Sequence, residues 1–296
     1  MTTSIASTTC TRWYTLRQLQ IFQFCFGAYL TIHFAQLVPY ATELFGRTGM
    51  IADPQWSPTY NYFPSILIWI DHSTTLLSVF LFSLSLLSIV FALRLFAPRC
   101  IALLLWYGWA CLFNRNVLIS NPGIPYIGLL LLAFSLIKIK KRQKDDKDDE
   151  QLELSTQVFP WLYWGAWTLY ALGYTISGLH KLQSPSWIDG SALHHVLRSP
   201  LSRDNALCHF LLNTNPLILQ VSTWASLFAE ITFLPLGLFY HTRKAYWLAF
   251  LALHLGVLMV VNFTDLTFGI LAMHFFLFDP RWFFSINISS AHTKLE

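Results

Sequence analysis

The chain has 296 residues, of which 55% are hydrophobic, 17% aromatic and only 11% charged. Soluble domains carry about 25% charged residues, so this composition excludes an ordinary soluble domain and points to an integral membrane protein. The formal net charge of +4 sits in short segments beside apolar runs, so it does not read as a nucleic-acid surface.

A hydrocarbon core of about 30 Å takes roughly 20 apolar residues per helix. The first ten residues are Ser/Thr-rich and uncharged, and Arg12 and Arg17 flank the start of the first apolar run. That run, Leu16 to Val38, reads as an uncleaved first helix and not as a signal peptide. The segment Pro39 to Asp71 contains the patch Phe63 to Ile70. The patch is too short to span and is expected to lie at the membrane interface. Three further spans follow: Thr74 to Leu93, Ile101 to Phe113 and Ile119 to Ile137.

The run Lys138 to Glu150 is basic, then acidic. It reads as a solvated inner linker (138–158) between two groups of four helices. The second group comprises Phe159 to Leu179, Pro216 to Tyr240, Ala245 to Val261 and Leu266 to Phe278. Between the first two of these, Leu182 to Asn215 is expected to cap the outer face as an amphipathic helix or re-entrant segment. The expected fold is therefore all-α: a single polytopic membrane domain over 1–296 with about eight transmembrane helices and interfacial segments outside.

Orientation follows from the basic residues. With the N-terminus cytoplasmic and eight spans, fourteen of the nineteen Lys and Arg residues fall inside, as the positive-inside rule requires. Both termini are then cytoplasmic, and Lys181 faces outward at the end of the fifth span. The five cysteines are odd in number and irregularly spaced, with no C-x-x-C. No disulfide framework follows, and Cys111 with Cys208 is only a remote pairing.

Ionisable groups inside apolar spans are the natural functional candidates, because a mid-helix charge costs roughly 2.5–3.5 kcal/mol on insertion scales. Glu230 lies in the sixth span, His254 in the seventh, His274 in the eighth and His33 in the first. Glu230 has a structural alternative, pairing with Arg115 or with a histidine such as His254 to pin helices together. Lys181 reads either as a snorkelling lysine or as a general base favoured by desolvation. His180, Trp187 and Asp189 surround it in sequence. His180, His194, His195 and His209 all fall outside, but no H-x₃-H or HExxH occurs, so no metal site is expected.

One set of residues carries a family likeness. It comprises Glu43-Leu44-Phe45 with Gly49, Tyr126-Ile127-Gly128-Leu129, the stretch from Tyr174 through Ser177-Gly178-Leu179-His180-Lys181-Leu182 to Trp187 and Asp189-Gly190, Arg198-Ser199-Pro200-Leu201 with Arg203, and His274 with Phe278-Asp279-Pro280-Arg281-Trp282. On these motifs the chain resembles the HTTM group, the horizontally transferred transmembrane domain related to the vitamin K-dependent gamma-carboxylase. The likeness covers most of the chain.

The resemblance implies lysine-base chemistry, with Lys181 as the base and His180 as its hydrogen-bond partner. Glu230, His254, Asn121 and Arg115 are then supporting or relay groups. Asn121-Pro122-Gly123 stands where the carboxylases have an Asn-His pair. The implied cofactor is vitamin K hydroquinone or a related quinol, with no metal. The implied partners are the lipid membrane and a small secreted peptide, the implied location is a bacterial inner membrane, and the site faces outward. The competing expectation is a non-catalytic membrane partner in the maturation or export of such a peptide, as in sporulation-delaying-type toxin systems.

Overall fold

The computed structural model describes residues 16–139, 156–157, 160–262, 264–279 and 282–283. The basic N-terminal flank at Arg12, most of the linker (140–155), Pro280 and Arg281 lie outside the described residues.

Among the described residues, eight long helices occupy the eight apolar runs. They are α1 (Leu16–Leu37), α4 (Thr74–Leu93), α5 (Pro98–Arg115), α6 (Ile124–Leu136), α7 (Pro160–Lys181), α11 (Pro216–Gly237), α12 (Tyr240–Val260) and α13 (Thr264–Phe276). Five short helices lie between them: α2 (Ala41–Phe45), α3 (Leu67–Ile70), α8 (Pro185–Ile188), α9 (Ala192–Arg198) and α10 (Ala206–Asn213). A two-residue antiparallel ladder, Lys138–Ile139 on Thr156–Gln157, brackets the linker.

The starts of these helices are written locally. Pro98 and Pro216 open α5 and α11 at positions where a missing N–H costs nothing. Ser73, Asn205 and Asn215 accept hydrogen bonds from the amides of Leu76, Cys208 and Leu217 and so cap α4, α10 and α11.

The expected count of eight spans needs correction. Among the described residues, four helical stretches are long and apolar enough to cross a membrane: Gln18–Phe45, Thr74–Leu93, Pro216–Gly237 and Tyr240–Val260. Helices α6 and α13 have 13 residues each, or about 20 Å at 1.5 Å per residue, well short of the hydrocarbon core. Helices α5 and α7 have the length, but Arg, Asn, His, Lys, Gly and many Tyr and Trp residues dilute their hydropathy. The architecture is that of an integral α-helical membrane protein.

Helix α1 packs on α4, α5 on α6, and α7 on α11, while α12 runs back along α11 and α13 along α12. Helix α13 also packs on α6 and so joins the two groups. Glycine sets two of these approaches. A methyl group at Gly27 would sit 2.6 Å from Ala92 Cβ, and one at Gly178 would sit 2.9 Å from Glu230 Cβ. The core runs continuously through both groups, and Phe22 stacks on Phe26 and Phe134. Away from it, α4 turns out Val79, Phe82, Leu86 and Leu93, an exposed apolar stripe suited to lipid.

The two segments expected on the outer side are more divided than their sequence suggests. The patch Phe63 to Ile70 forms the single turn α3, with Leu67 buried and Trp69 exposed. Trp56 and Tyr62 are also exposed, as an interfacial aromatic belt requires. The stretch Leu182 to Asn215 is no single amphipathic helix but the three short helices α8, α9 and α10. Cys111 and Cys208 are free thiols, so the remote disulfide is not formed.

Candidate functional site

Lys181 ends α7, and Glu230 lies inside α11. The lysine Nζ donates to both carboxylate oxygens, at 2.5 Å to Oε1 and 2.7 Å to Oε2. The Glu230 side chain is 5% exposed and that of Lys181 26% exposed. The acid is thus out of solvent, while the amine keeps one open side. The Trp187 ring on α8 covers the ammonium, with its centroid 4.3 Å from Nζ, a cation–π contact.

The local sequence explains why these groups meet. Thr175, Gly178 and Lys181 are spaced by three along α7, which puts them on one helical face. Gly178 has no side chain to hold α11 away. The Thr175 hydroxyl donates to the Glu230 carbonyl at 3.1 Å and accepts from the Leu234 amide at 3.0 Å. Those two backbone groups would otherwise bond each other in an α-helix. The hydroxyl therefore sits within the ladder of α11, one residue before Pro235, which has no N–H to give.

The Trp187 cover is fixed from α11 as well. Gln220 Nε2 donates to the Asp189 carbonyl at 2.8 Å, and Trp224 Nε1 to that of Ile188 at 3.0 Å. Gly190 closes the turn at φ +83°, and a Cβ there would lie 2.3 Å from Gln220 Cγ. Asp189 Oδ1 accepts from the Ser191 amide at 2.8 Å. The Ser191 hydrogen bonds, from hydroxyl and amide, hold the Asp189 carboxyl below its ordinary range.

Below the ion pair lies a second polar group, formed by α7, α12 and α13. Tyr174 Oη is hydrogen-bonded to His254 Nε2, and Tyr170 Oη to His274 Nδ1 at 2.7 Å. All four side chains are buried. Trp247 Nε1 donates to the His274 carbonyl at 2.9 Å, which steadies α13 against α12.

The remaining sequence candidates are scattered. Arg115 is buried in the other half of the protein and far from Glu230 in its bonding. Its Nη1 donates to the Ile51 carbonyl at 2.8 Å and its Nη2 to that of Gly46 at 3.3 Å, with Asp71 Oδ2 at 3.6 Å. Asn116 donates to the Leu44 carbonyl at 2.8 Å. The Glu43-Leu44-Phe45 and Gly49 motif is thus a clamp for the segment between α1 and α4. Met50 closes it onto the Glu43 carbonyl at 2.8 Å, at a point where a Cβ on Gly49 would strike that oxygen.

Asn121 turns its side chain to the Gly123 amide at 2.8 Å and shapes the entry to α6. His180 is exposed, and among the described residues nothing joins its ring to Lys181. His33 packs against Trp109, with ring centroids 4.8 Å apart. His209 bonds Asp204 at 2.7 Å on the surface. Among the described residues, no group of three or more His, Cys, Asp or Glu side chains is placed to hold a metal ion.

The sequence singles out Lys181, Glu230 and His254 but not the Lys181–Glu230 partnership; Tyr174 enters only as the start of a motif, and Thr175, Tyr170 and Asp71 do not stand out as site residues. The i, i+4 tyrosines and the three-residue spacing of Thr175, Gly178 and Lys181 were the available signals. A cavity of about 520 Å³ lies elsewhere, between α1 and α13, and its wall includes Phe22, Tyr29, Trp247 and Phe275 but neither Lys181 nor Glu230. No family model matches the chain, and no curated protein or solved structure matches it.

Proposed function

We propose that this integral membrane protein does lysine-base chemistry at its outer face, with the Lys181–Glu230 pair as the working centre. The observation that carries this reading is the two-oxygen grip on the Lys181 ammonium beneath Trp187, at 2.5 and 2.7 Å. An intramembrane acid–base pair with one open side is a device for holding and handing on a proton. When the proton of Nζ passes to Glu230, both partners are neutral, and charge separation in a poorly solvated site is relieved. The free amine then takes a proton from a substrate hydroxyl, and Glu230 gives its proton to water at the open side of the pair, which restores a carboxylate beside the ammonium.

The resemblance to carboxylase-like HTTM proteins supports a lipid-soluble quinol as cofactor and a small secreted peptide as substrate. The indole face of Trp187 and the donor–acceptor set of Lys181 and Glu230 fit a flat ring bearing a hydroxyl. A bound quinol would supply an acidic hydroxyl and reducing electrons. In this reading the protein lies in a bacterial inner membrane, with both termini cytoplasmic. His254, bonded to Tyr174 seven residues before Lys181 on α7, supports the pair indirectly. His180, exposed and facing away, serves at most at the rim.

The test is quinol-dependent turnover by the purified protein in lipid. Lys181→Ala and Glu230→Gln should both abolish it, and full turnover by Lys181→Ala would remove the proposal. The second reading is a non-catalytic partner in peptide maturation or export. It is supported by the way Thr175, Gly178 and the ion pair bolt α7 to α11. It expects the paired substitution Lys181→Met with Glu230→Leu to leave peptide export intact, and a gene for a small secreted precursor beside this one.

A further inference from the structure

The cavity of about 520 Å³ between α1 and α13 has neither Lys181 nor Glu230 in its wall. Its volume is that of a ligand site, about 300–1,000 Å³. Polar atoms in the wall are confined to Gln18, Cys25, Tyr29 and Trp247, and the indole N–H of Trp247 is spent on the His274 carbonyl. Water gains little from such a wall, and an apolar cavity takes apolar guests. Left unfilled, the wall would forfeit its dispersion contacts.

Place and length narrow what that guest is. Helices α1 and α12 belong to stretches long and apolar enough to cross a membrane, and Ile21, Phe268 and Phe275 stand exposed at the cavity's edge. The opening therefore faces lipid. Ring contacts order its two ends. Tyr29 lies against Phe268 at one, with centroids 5.8 Å apart, and Trp247 against Phe278 at the other, at 5.4 Å. Between them Phe22 meets Phe276 at 6.1 Å. Along α1 the wall runs from Gln18 to Tyr29, about 16 Å at 1.5 Å per residue. One leaflet offers about 15 Å of hydrocarbon, half of a core of about 30 Å. The cavity is thus as long as one leaflet is deep.

A cation marks the Trp247 end. Lys244 precedes Trp247 by three residues on α12, so the two share a helical face. The half-buried Lys244 Nζ donates to the Trp282 carbonyl at 2.7 Å and lies 4.4 Å from the centroid of the Phe283 ring. Phe283 stacks on Phe278 of the cavity wall, with centroids 5.9 Å apart. An ammonium has three donors, and the Trp282 carbonyl takes one of them. The others suit the phosphate of a headgroup. We infer that the cavity holds one acyl chain of an anionic phospholipid, whose phosphate meets Lys244 and whose chain runs from Trp247 to Tyr29. The lipid joins α1 of the first helix group to α13 of the second, and its site is independent of Lys181.

The test is native mass spectrometry of the full chain, purified in detergent and offered phosphatidylglycerol or phosphatidylcholine with identical chains. One retained phosphatidylglycerol per chain is expected. Phosphatidylcholine should be held roughly fivefold more weakly, the factor that one lysine near the surface is worth toward an anionic lipid, and Lys244→Gln should remove the difference. Ala272→Phe, which puts a ring into the cavity, should abolish retention, whereas Phe82→Leu on the exposed stripe of α4 should not. Should Ala272→Phe fail to fold, the wild-type protein in nanodiscs decides, with a photoreactive diazirine on the acyl chain of phosphatidylglycerol. Labels concentrated in residues 18–29 and 268–278 are then expected. The inference would be overturned by no retained lipid, by undiminished retention in a folded Ala272→Phe variant, or by equal retention of the two lipids by the wild type. A quinone retained in place of the phospholipid, or label no denser there than on α4, would overturn it as well.

Discussion

The hydroxyl of Thr175 stands between the carbonyl of Glu230 and the amide of Leu234, donating to the first and accepting from the second. One side chain of α7 thus completes the hydrogen bonding of α11 at the residue that holds Lys181. Thr175→Val keeps the shape but removes both bonds. A buried group left unsatisfied costs about 1–3 kcal/mol, so the thermal midpoint in detergent should fall, while Thr175→Ser should stay near wild type. An unchanged midpoint for the valine variant would show that Leu234 bonds Glu230 directly.

The Lys181–Glu230 pair should be strongly coupled. Lys181→Met alone leaves a carboxylate out of water with no counter-charge, and Glu230→Leu alone strands a partly buried ammonium. Each should destabilise by about 2–4 kcal/mol, and the double variant by less than the sum. Additive losses in a double-mutant cycle of unfolding would mean that the two side chains act independently.

Gly178 sets the distance between the two helices. A Cβ there would lie 2.9 Å from both Glu230 Cβ and the Ile231 amide nitrogen, and the latter is backbone that cannot step aside. Gly178→Ala should cost about 1–3 kcal/mol through overpacking and should uncouple Lys181 from Glu230. A wild-type midpoint with the coupling intact would contradict the packing described.

Asp189 gives a pH dependence with a definite sign. Its carboxyl lies below its ordinary range because Ser191 bonds the ionised form. The stabilisation is present above the unfolded value, about 3.9, and is lost as pH falls through the lower folded value. Exchange of the Ser191 amide should show reduced protection only in that acid window, and Asp189→Asn should flatten the profile. Loss of protection on going to alkaline pH would reverse the assignment.

Arg115 should matter to the outer clamp and not to the ion pair. Arg115→Met frees the Gly46 and Ile51 carbonyls and leaves Asp71 with Arg47 alone as its counter-charge. Proteolysis within residues 46–71 should quicken, while the Lys181–Glu230 coupling stays unchanged. Loss of that coupling would tie the two clusters together.

Much of the architecture was legible as pattern. Runs of apolar residues gave the eight helices nearly to their ends, because a backbone away from water must satisfy its own hydrogen bonds and a helix does so locally. Their crossing of the membrane was less legible. Residue counting treated α6 and α13 like the longer helices, yet 13 residues make too short a rod. The short helices α8 to α10 escaped notice because each is held by contacts to α11 and α12, such as Gln220 to Asp189 and Asn205 to Met259, and not by its own periodicity.

The candidate site divides in the same way. Residue type alone singled out Lys181, Glu230 and His254, since charged and titratable groups are costly in apolar runs and stand out there. Pairing could not be read so. Glu230 had Arg115 and His254 as equally plausible partners until α7 and α11 were seen in contact, with Arg115 committed instead to Gly46, Ile51 and Asp71. Local chemistry along a chain fixes which segments coil and which groups are expensive to bury. Partnership between groups 49 residues apart depends on how helices stack, and that is set by glycine notches and inserted hydroxyls whose effect exists only in three dimensions.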